Sequence, residues 1–195
     1  MNTKLPFNKI QLRAKMRDQR RALAIHPEQW EVAKTGWAKQ LRTLCDQLQP
    51  AKITAYLPMA GEADPTAFFP QTDRPIFLPR GVNQTYEFVQ WTVEHRLELG
   101  PHGVLQLAGD LPKMSIALAK GQIDLWIVPG LGFDVQGNRL GLGKGYYDQF
   151  LKDARGHKVG FCWDWQLVDP WRTDPWDQPM DYIVTESRCI CTKTA

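Results

Sequence analysis

The sequence predicts an α/β protein whose core is an open, mainly parallel β-sheet flanked by helices. Short apolar runs typical of buried strands alternate along the 195 residues with segments of helical periodicity, and this alternation favours a parallel sheet. Residues 125–128, within a predicted strand at 123–128, form a continuous apolar run, as expected for a strand covered on both faces. Because no repeat and no polar linker divides the chain, we expect a single domain over residues 1–195.

Two amphipathic helices are predicted ahead of the first strand. Residues 8–23 carry an apolar stripe that includes Leu12, and Asn8 is placed to cap the first turn. Residues 27–48 repeat apolar side chains at steps of three and four, and Pro27 suits the first helical position. We expect the first helix at the rim of the core and the second facing it.

The remaining elements are predicted from short apolar runs and turn residues. Strands are predicted over residues 53–57, 75–79, 86–93, 158–162 and 181–185, and short helices beginning at Asp64 and Tyr146. The segment 95–120 and the tail from Ser187 show no clear pattern, so we assign no element there. Four tryptophans between residues 163 and 176 are expected to pack a loop against the body, with stacking on a pterin or an adenine as the alternative.

The positive charge is concentrated at the N-terminus. The net charge is +3, but residues 1–23 hold seven basic side chains and one acidic one, so the rest of the chain is net negative. Within helix 8–23, four basic residues follow one another at spacings of four, four and three: Lys9, Arg13, Arg17 and Arg20. Charge alone leaves three explanations open, namely a solvated face, a nucleic-acid surface or a site for an anionic ligand.

Cysteine usage and hydropathy point to the cytoplasm. The cysteines match no zinc-ligand spacing, and the N-terminus lacks the apolar stretch of a secretory signal. No apolar run approaches the roughly 20 residues needed to cross a bilayer. We therefore expect reduced thiols and a cytoplasmic protein without a membrane partner.

The loop between the strand at 123–128 and the helix at Tyr146 has the chemistry of an anion site. Its glycines allow backbone N–H groups to turn into a concave surface, and the start of a helix adds further unpaired N–H groups. Arg139 and Lys144 add two full charges to the same loop. Phosphate is the expected ligand, although a purely structural turn would carry the same glycines.

This loop is not one of the common nucleotide-binding motifs. Lys144 is followed by Gly145 rather than by Ser or Thr, so the Mg²⁺-binding hydroxyl of a P-loop is missing. The glycine spacing also differs from that of a dinucleotide-binding fingerprint. A metal here would need a carboxylate, and Asp148 lies one turn further on.

Residues 139–148, Arg-Leu-Gly-Leu-Gly-Lys-Gly-Tyr-Tyr-Asp, closely resemble the signature of 5-formyltetrahydrofolate cyclo-ligases, also called methenyltetrahydrofolate synthetases. The resemblance extends to the basic N-terminal helix, to Tyr-Leu-Pro-Met-x-Gly-Glu at 56–62 and to Asp-x-x-Val-Thr-Glu at 181–186. It implies an open Rossmann-like fold, similar to those of ribose-5-phosphate isomerases and CoA transferases. It also implies ATP- and Mg²⁺-dependent cyclisation of 5-formyltetrahydrofolate to 5,10-methenyltetrahydrofolate.

The resemblance implies roles for individual residues. ATP would be bound by the first helix and the glycine loop through Lys9, Arg13, Arg139, Leu140, Gly141, Leu142, Gly143, Lys144, Gly145, Tyr146 and Tyr147. The folate would contact Leu57, Glu62 and Tyr146, Mg²⁺ would bind Asp148 and Asp181, and the catalytic cations would be Arg139 and Lys144. The family's His-Asp pair is interrupted here, since Trp176 precedes Asp177, so we expect no catalytic role for Asp177. Arg17, Arg20 and Arg21 are expected to be surface charges.

The expected partners are 5-formyltetrahydrofolate and ATP, with no nucleic acid and no membrane, acting on a monomer. Two other classes stay open at this point. One is a sugar-phosphate isomerase or CoA transferase on a similar fold, and the other is an RNA-binding protein that uses the basic row of the first helix.

Overall fold

The computed structural model of the chain describes residues 8–23, 28–82 and 85–193. These residues contain four α-helices: α1 (Lys9–Leu23), α2 (Glu28–Leu48), α3 (Ile116–Gln122) and α4 (Tyr146–Leu151). The strands are β1 (Ile53–Thr54), β2 (Ile76–Val82), β3 (Thr85–Gln90), β4 (Leu97–Leu99), β5 (Leu105–Leu107), β6 (Lys113–Ser115), β7 (Leu125–Pro129), β8 (Gly132–Phe133), β9 (Arg139–Leu140), β10 (His157–Phe161), β11 (Tyr182–Val184) and β12 (Cys189–Cys191). Across the described ranges, no helix is both long and apolar enough to cross a membrane.

One eight-stranded sheet organises the fold, in the order β12-β11-β10-β7-β1-β2-β3-β6. The five central strands, from β11 to β2, run parallel to their neighbours. Antiparallel strands complete both edges, with β12 on one side and β3 and β6 on the other. The predicted open, mainly parallel sheet with flanking helices is therefore confirmed.

Strand β7 lies near the middle of the sheet and is buried on both faces. Leu125 and Ile127 belong to the core cluster on the face covered by α2, where Trp37 is fully buried. Trp126 and Val128 belong to the cluster on the other face, which α3 and α4 cover. The strand begins later than predicted, because the preceding residues end α3.

The N-terminal helices agree with the sequence. The Asn8 Oδ1 atom accepts a hydrogen bond from the Ile10 N–H at 2.9 Å, which confirms the predicted cap of α1. Helix α2 begins at Glu28, and the predicted first position, Pro27, lies outside the described residues. The Trp37 indole N–H donates to the Cys162 carbonyl at 3.0 Å and so ties α2 to the residue that follows β10.

Other elements differ from the prediction in length or type. Strand β1 pairs over only two residues, after which the chain turns toward the loop at 58–62. The helix predicted from Asp64 is a 3₁₀ turn, Thr66–Gln71, with Pro70 inside it. The unassigned segment 95–120 contains the β4–β5 hairpin, β6 and the start of α3, and the tail contains β12.

Candidate active site

A cavity of about 420 Å³ opens beyond the carboxyl ends of the parallel strands. Tyr56 and Leu57 line it directly after β1, and Pro129 and Gly130 line it at the end of β7. This is where open α/β sheets bind their ligands. Thirteen of the fifteen predicted site residues line the cavity: Lys9, Arg13, Leu57, Glu62, Arg139, Gly141, Leu142, Gly143, Lys144, Gly145, Tyr146, Tyr147 and Asp148.

Leu140 and Asp181 do not line the cavity. Leu140 is fully buried and packs beneath the loop with Leu12 and Met16. Its contribution is therefore to hold α1 against the glycine loop.

A short hairpin, β8–β9, positions the glycine loop at residues 141–145. The sequence had predicted only an irregular loop from residue 129 onward, without this hairpin. The turn is organised by Asp134, which is fully buried. Its Oδ1 accepts the backbone N–H groups of Gln136 and Asn138 at 2.9 Å each, and its Oδ2 accepts the Asn138 side-chain amide at 2.7 Å. Because the hairpin returns the chain toward β7, Arg139 enters the cavity from a fixed backbone.

The glycine loop presents unpaired backbone donors. In the described part of the chain, none of the N–H groups of residues 141–145 donates a hydrogen bond to another protein group. Gly143 and Gly145 adopt positive φ angles of 95° and 73°, which residues with a Cβ rarely tolerate. Since α4 is only six residues long, we attribute anion binding to these N–H groups and the nearby cations rather than to a helix dipole.

Arg139 is buried between Asp148 and Tyr147. Its Nη2 donates to the Asp148 Oδ1 at 2.6 Å, and its guanidinium carbon lies 5.6 Å from the centre of the Tyr147 ring. Its side chain is only 6% exposed, and within the described residues its buried Nε–H has no acceptor. A buried guanidinium with an unused donor beside a cavity suits an oxygen-rich anion.

The basic residues of α1 contact three different loops around the cavity. Lys9 lies between two carboxylates, with Nζ at 2.6 Å from Asp174 and 2.5 Å from Asp177. The Arg13 Nε donates to the Gly141 carbonyl at 3.0 Å, and the exposed Arg17 donates to the next carbonyl of that loop. The row is therefore engaged within the chain rather than presented as a uniform solvated face.

Arg20 was wrongly predicted to be a surface charge. Its side chain is 12% exposed and pairs with Glu62 at 3.0 Å, whereas the neighbouring Arg21 is 81% exposed, as predicted. Burial raises the pKa of Glu62, while Arg20 and the Met59 N–H oppose that shift. This buried carboxylate lines the same cavity as the glycine loop.

Tyrosines also line the cavity. The Tyr146 ring lies 5.1 Å from the Tyr86 ring, on β3. Burial raises the pKa of Tyr147, and nearby Glu62 adds to that shift. Of the tryptophans, Trp163 packs against Trp30 and Trp37, as the packing interpretation expects.

The structure brings Asp177, rather than Asp181, to the cavity. Asp181 precedes β11 and so lies at the amino end of the parallel strands, opposite the cavity. Its Oδ2 accepts the Lys158 N–H at 2.9 Å and its Oδ1 pairs with Lys193 at 2.7 Å. Asp148 and Asp181, the expected metal pair, are therefore not brought together, whereas Asp174 and Asp177 both line the cavity.

A family model described as the 5-formyltetrahydrofolate cyclo-ligase family matches residues 7–186. The chain belongs to the 5-formyltetrahydrofolate cyclo-ligase family. As a member of this family it is an enzyme of the ligase class, and the suspected resemblance of its glycine loop is confirmed.

Several cyclo-ligase relatives match almost the full chain. The 5-formyltetrahydrofolate cyclo-ligase of Escherichia coli K12 is 28% identical over 185 residues, which cover 89% of this chain and 97% of that protein. The cyclo-ligase of Haemophilus influenzae is 27% identical over 192 residues, 92% of this chain and 97% of its own.

A solved structure of a family member has the same fold. The 5,10-methenyltetrahydrofolate synthetase of Aquifex aeolicus superimposes with a TM-score of 0.82 at 28% identity, covering 96% of this chain and 94% of that one. The cyclo-ligase fold is thus common to both chains. The synthetase of Mycoplasma pneumoniae, at 22% identity and a TM-score of 0.70, agrees at the level of the fold.

Proposed function

We propose that this protein converts 5-formyltetrahydrofolate to 5,10-methenyltetrahydrofolate with ATP and Mg²⁺, releasing ADP and phosphate. The main support is that one cavity joins two kinds of surface. One end offers backbone N–H groups and the cations Arg139 and Lys144, which suit the phosphates of a nucleotide. The other end offers the buried carboxylate of Glu62, which suits the N–H edge of a reduced pterin.

The terminal phosphates of ATP would lie against residues 141–145. The unpaired N–H groups would donate to phosphate oxygens, and Arg139 and Lys144 would offset the charge that develops during transfer. Arg13 would act mainly by fixing the loop, since its Nε already donates to the Gly141 carbonyl. Tyr147 would hold the Arg139 guanidinium in place through its ring.

The folate would lie toward β1 and β3. Leu57 and the paired rings of Tyr86 and Tyr146 would contact its apolar faces, and Glu62 would accept its N–H groups. In this arrangement the formyl group of the substrate would lie between the pterin and the phosphates of ATP.

Asp148 and Asp177 are the residues that we propose would hold Mg²⁺. Carboxylate oxygens suit this hard cation, which usually binds one or two carboxylates together with substrate phosphates. The Lys9 ammonium already lies between Asp174 and Asp177, so this part of the cavity accommodates a cation. When bound, the metal would supply positive charge against the phosphates.

Phosphoryl transfer explains why a ring closure needs ATP. The formyl oxygen is a poor leaving group, so the γ-phosphoryl group is transferred to it, giving an iminium phosphate and ADP. N10 then attacks the formyl carbon and loses its proton, and the carbon–oxygen bond breaks as phosphate leaves. The side chains contribute positioning and charge neutralisation, which dominate in this kind of reaction.

An absorbance assay with purified protein tests the proposed function. We expect methenyltetrahydrofolate absorbance to appear only when 5-formyltetrahydrofolate, ATP and Mg²⁺ are all present. Absence of product with all three would refute the proposal. A sugar-phosphate isomerase would turn over without ATP, and an RNA-binding protein would show affinity that falls steeply with salt. We also propose that the protein acts as a cytoplasmic monomer without nucleic-acid or membrane partners.

Replacing Lys144 with alanine should raise the KM for ATP or lower kcat by about tenfold, because a charged hydrogen bond to phosphate contributes about 1.5–3 kcal/mol. Lys144 is exposed and lines the cavity. Lys152 is also exposed but lies just past α4 and outside the cavity, so Lys152→Ala is the matched control. Steady-state kinetics that match wild type in Lys144→Ala would remove Lys144 from the site.

A further inference from the structure

Arg20 reaches from α1 to the cavity end that contains Glu62. Its Nη1 donates to the Glu62 Oε1 at 3.0 Å and its Nε donates to the Ala60 carbonyl at 2.9 Å. Both members of the ion pair are largely buried. One planar guanidinium therefore fixes the carboxylate and the backbone of its loop at the same time.

The loop at 59–62 is shaped around this arginine. Gly61 has a φ of +77°, and a Cβ there would lie 2.6 Å from the Arg20 carbonyl oxygen and 2.6 Å from its Cγ. The Met59 N–H donates to the Glu62 Oε2 at 2.9 Å. The carboxylate is thus held at one oxygen by its own loop and at the other by α1.

Arg20 is the cation that offsets the burial of Glu62. Within the described residues, this carboxyl group also interacts with two phenols, Tyr56 after β1 and Tyr147 on α4. Burial raises the pKa of Glu62, and Arg20 is the main group that lowers it again. Without that guanidinium, a buried carboxyl group favours its protonated form.

We propose that Arg20 is a positioning residue that keeps Glu62 ionised and directed into the cavity, and thereby sets the affinity for the folate substrate without affecting that for ATP. The inference rests on the proposed function, in which Glu62 accepts N–H groups of the folate. A protonated or displaced Glu62 would lose that acceptor, whereas the phosphate end of the cavity would be unchanged.

Replacing Arg20 with methionine should raise the KM for 5-formyltetrahydrofolate by about tenfold, because the buried Glu62 carboxylate loses its side-chain hydrogen-bond donor. The KM for ATP should stay at the wild-type value. Because Arg20 lowers the pKa of Glu62, that pKa should rise further in this variant, and the folate KM should fall again as the pH is raised and Glu62 ionises. Arg20→Lys, which keeps the charge but not the planar fork, should recover part of the affinity, and Arg21→Ala is the matched exposed control.

A double variant separates a positioning role from a structural one. If Arg20 acts through Glu62, Arg20→Met should add less than twofold to the folate KM in a Glu62→Gln background. An equal effect in both backgrounds, an equal rise in both KM values, or no rise at all would overturn the inference.

Calorimetric titration with 5-formyltetrahydrofolate supplies a readout that does not depend on turnover. A wild-type protein that binds folate but forms no product would refute the proposed reaction, while the Arg20→Met dissociation constant would still decide this inference. A dissociation constant unchanged from wild type would refute it, and a tenfold weaker one that recovers at high pH would support it. If Arg20→Met does not fold, as judged by thermal unfolding, the same comparison is made with Arg20→Lys.

Discussion

Replacing Arg139 with methionine should lower kcat/KM for the cyclo-ligase reaction by about a thousandfold, the range seen when a buried cation or donor that stabilises a phosphoryl-transfer transition state is removed. The Arg139 guanidinium is 6% exposed, so its charge is weakly screened and acts strongly on nearby phosphate. Arg139 lines the cavity together with the glycine loop, and among the described residues its buried Nε–H has no acceptor. Initial rates over a range of ATP concentrations give kcat and KM separately, and we expect most of the loss in kcat.

Loss of the fold must be distinguished from loss of chemistry in this variant. Removing Arg139 leaves Asp148 without its ion-pair partner, and Asp148 is only 29% exposed, so stability should fall by about 1–3 kcal/mol. Assays well below the measured midpoint of thermal unfolding remove that contribution. Arg42→Met, on the exposed side of α2, is a matched control for loss of one arginine. A folded Arg139→Met enzyme with kcat/KM within threefold of wild type would contradict the assignment.

The sequence was most informative where a pattern is local and chemically distinct. The apolar run of β7 is continuous, and the glycine loop carries several glycines and two cations within a few residues, so both are visible in a short window of sequence. Helix α4 begins at the predicted residue, Tyr146, and ends at Leu151. The loop residues line the cavity because the end of a parallel strand delivers them there.

Elements too short to show a period were missed. Helix α3 has seven residues, of which Gly121 is one, and so gives less than two turns of pattern. Strands β4 and β5 have three residues each, and β4 is exposed throughout. Their structure comes from pairing with each other and from contact with β2, which no local window of sequence contains.

The site residues that were predicted wrongly or missed depend on contacts with residues far away in the chain. The basic row of α1 was visible as a spacing, but the burial of Arg20 depends on a loop 40 residues away. The place of Asp181 away from the cavity could have been predicted from the sequence, because a residue that precedes a parallel strand lies at the edge opposite to one that follows it. Asp177 had no such signal, since the segment that carries it belongs to no strand.

Replacing either Asp148 or Asp177 with asparagine should raise the Mg²⁺ concentration needed for half-maximal rate by about tenfold or more. The reason is that losing one ligand charge weakens the binding of a hard divalent cation. Asn keeps the size of Asp and one of its oxygens, so the cavity should retain its shape. Asp181→Asn should leave the Mg²⁺ titration unchanged, since Asp181 lies at the amino ends of the strands and pairs with Lys193. The measurement is initial rate against free Mg²⁺ at fixed ATP and folate concentrations.

The three variants decide between two metal sites, because the family resemblance pairs Asp148 with Asp181, whereas Asp148 and Asp177 are the two that line the cavity. A shifted titration in Asp181→Asn together with a wild-type titration in Asp177→Asn would restore the first pair. Asp177→Asn also leaves Lys9 with Asp174 as its remaining carboxylate partner, so its KM for ATP should be measured alongside. If Asp177→Asn changes only the KM for ATP and leaves the Mg²⁺ dependence intact, Asp177 is a partner of Lys9 and not a ligand of Mg²⁺. Asp148 would then be the remaining candidate ligand of the proposed pair.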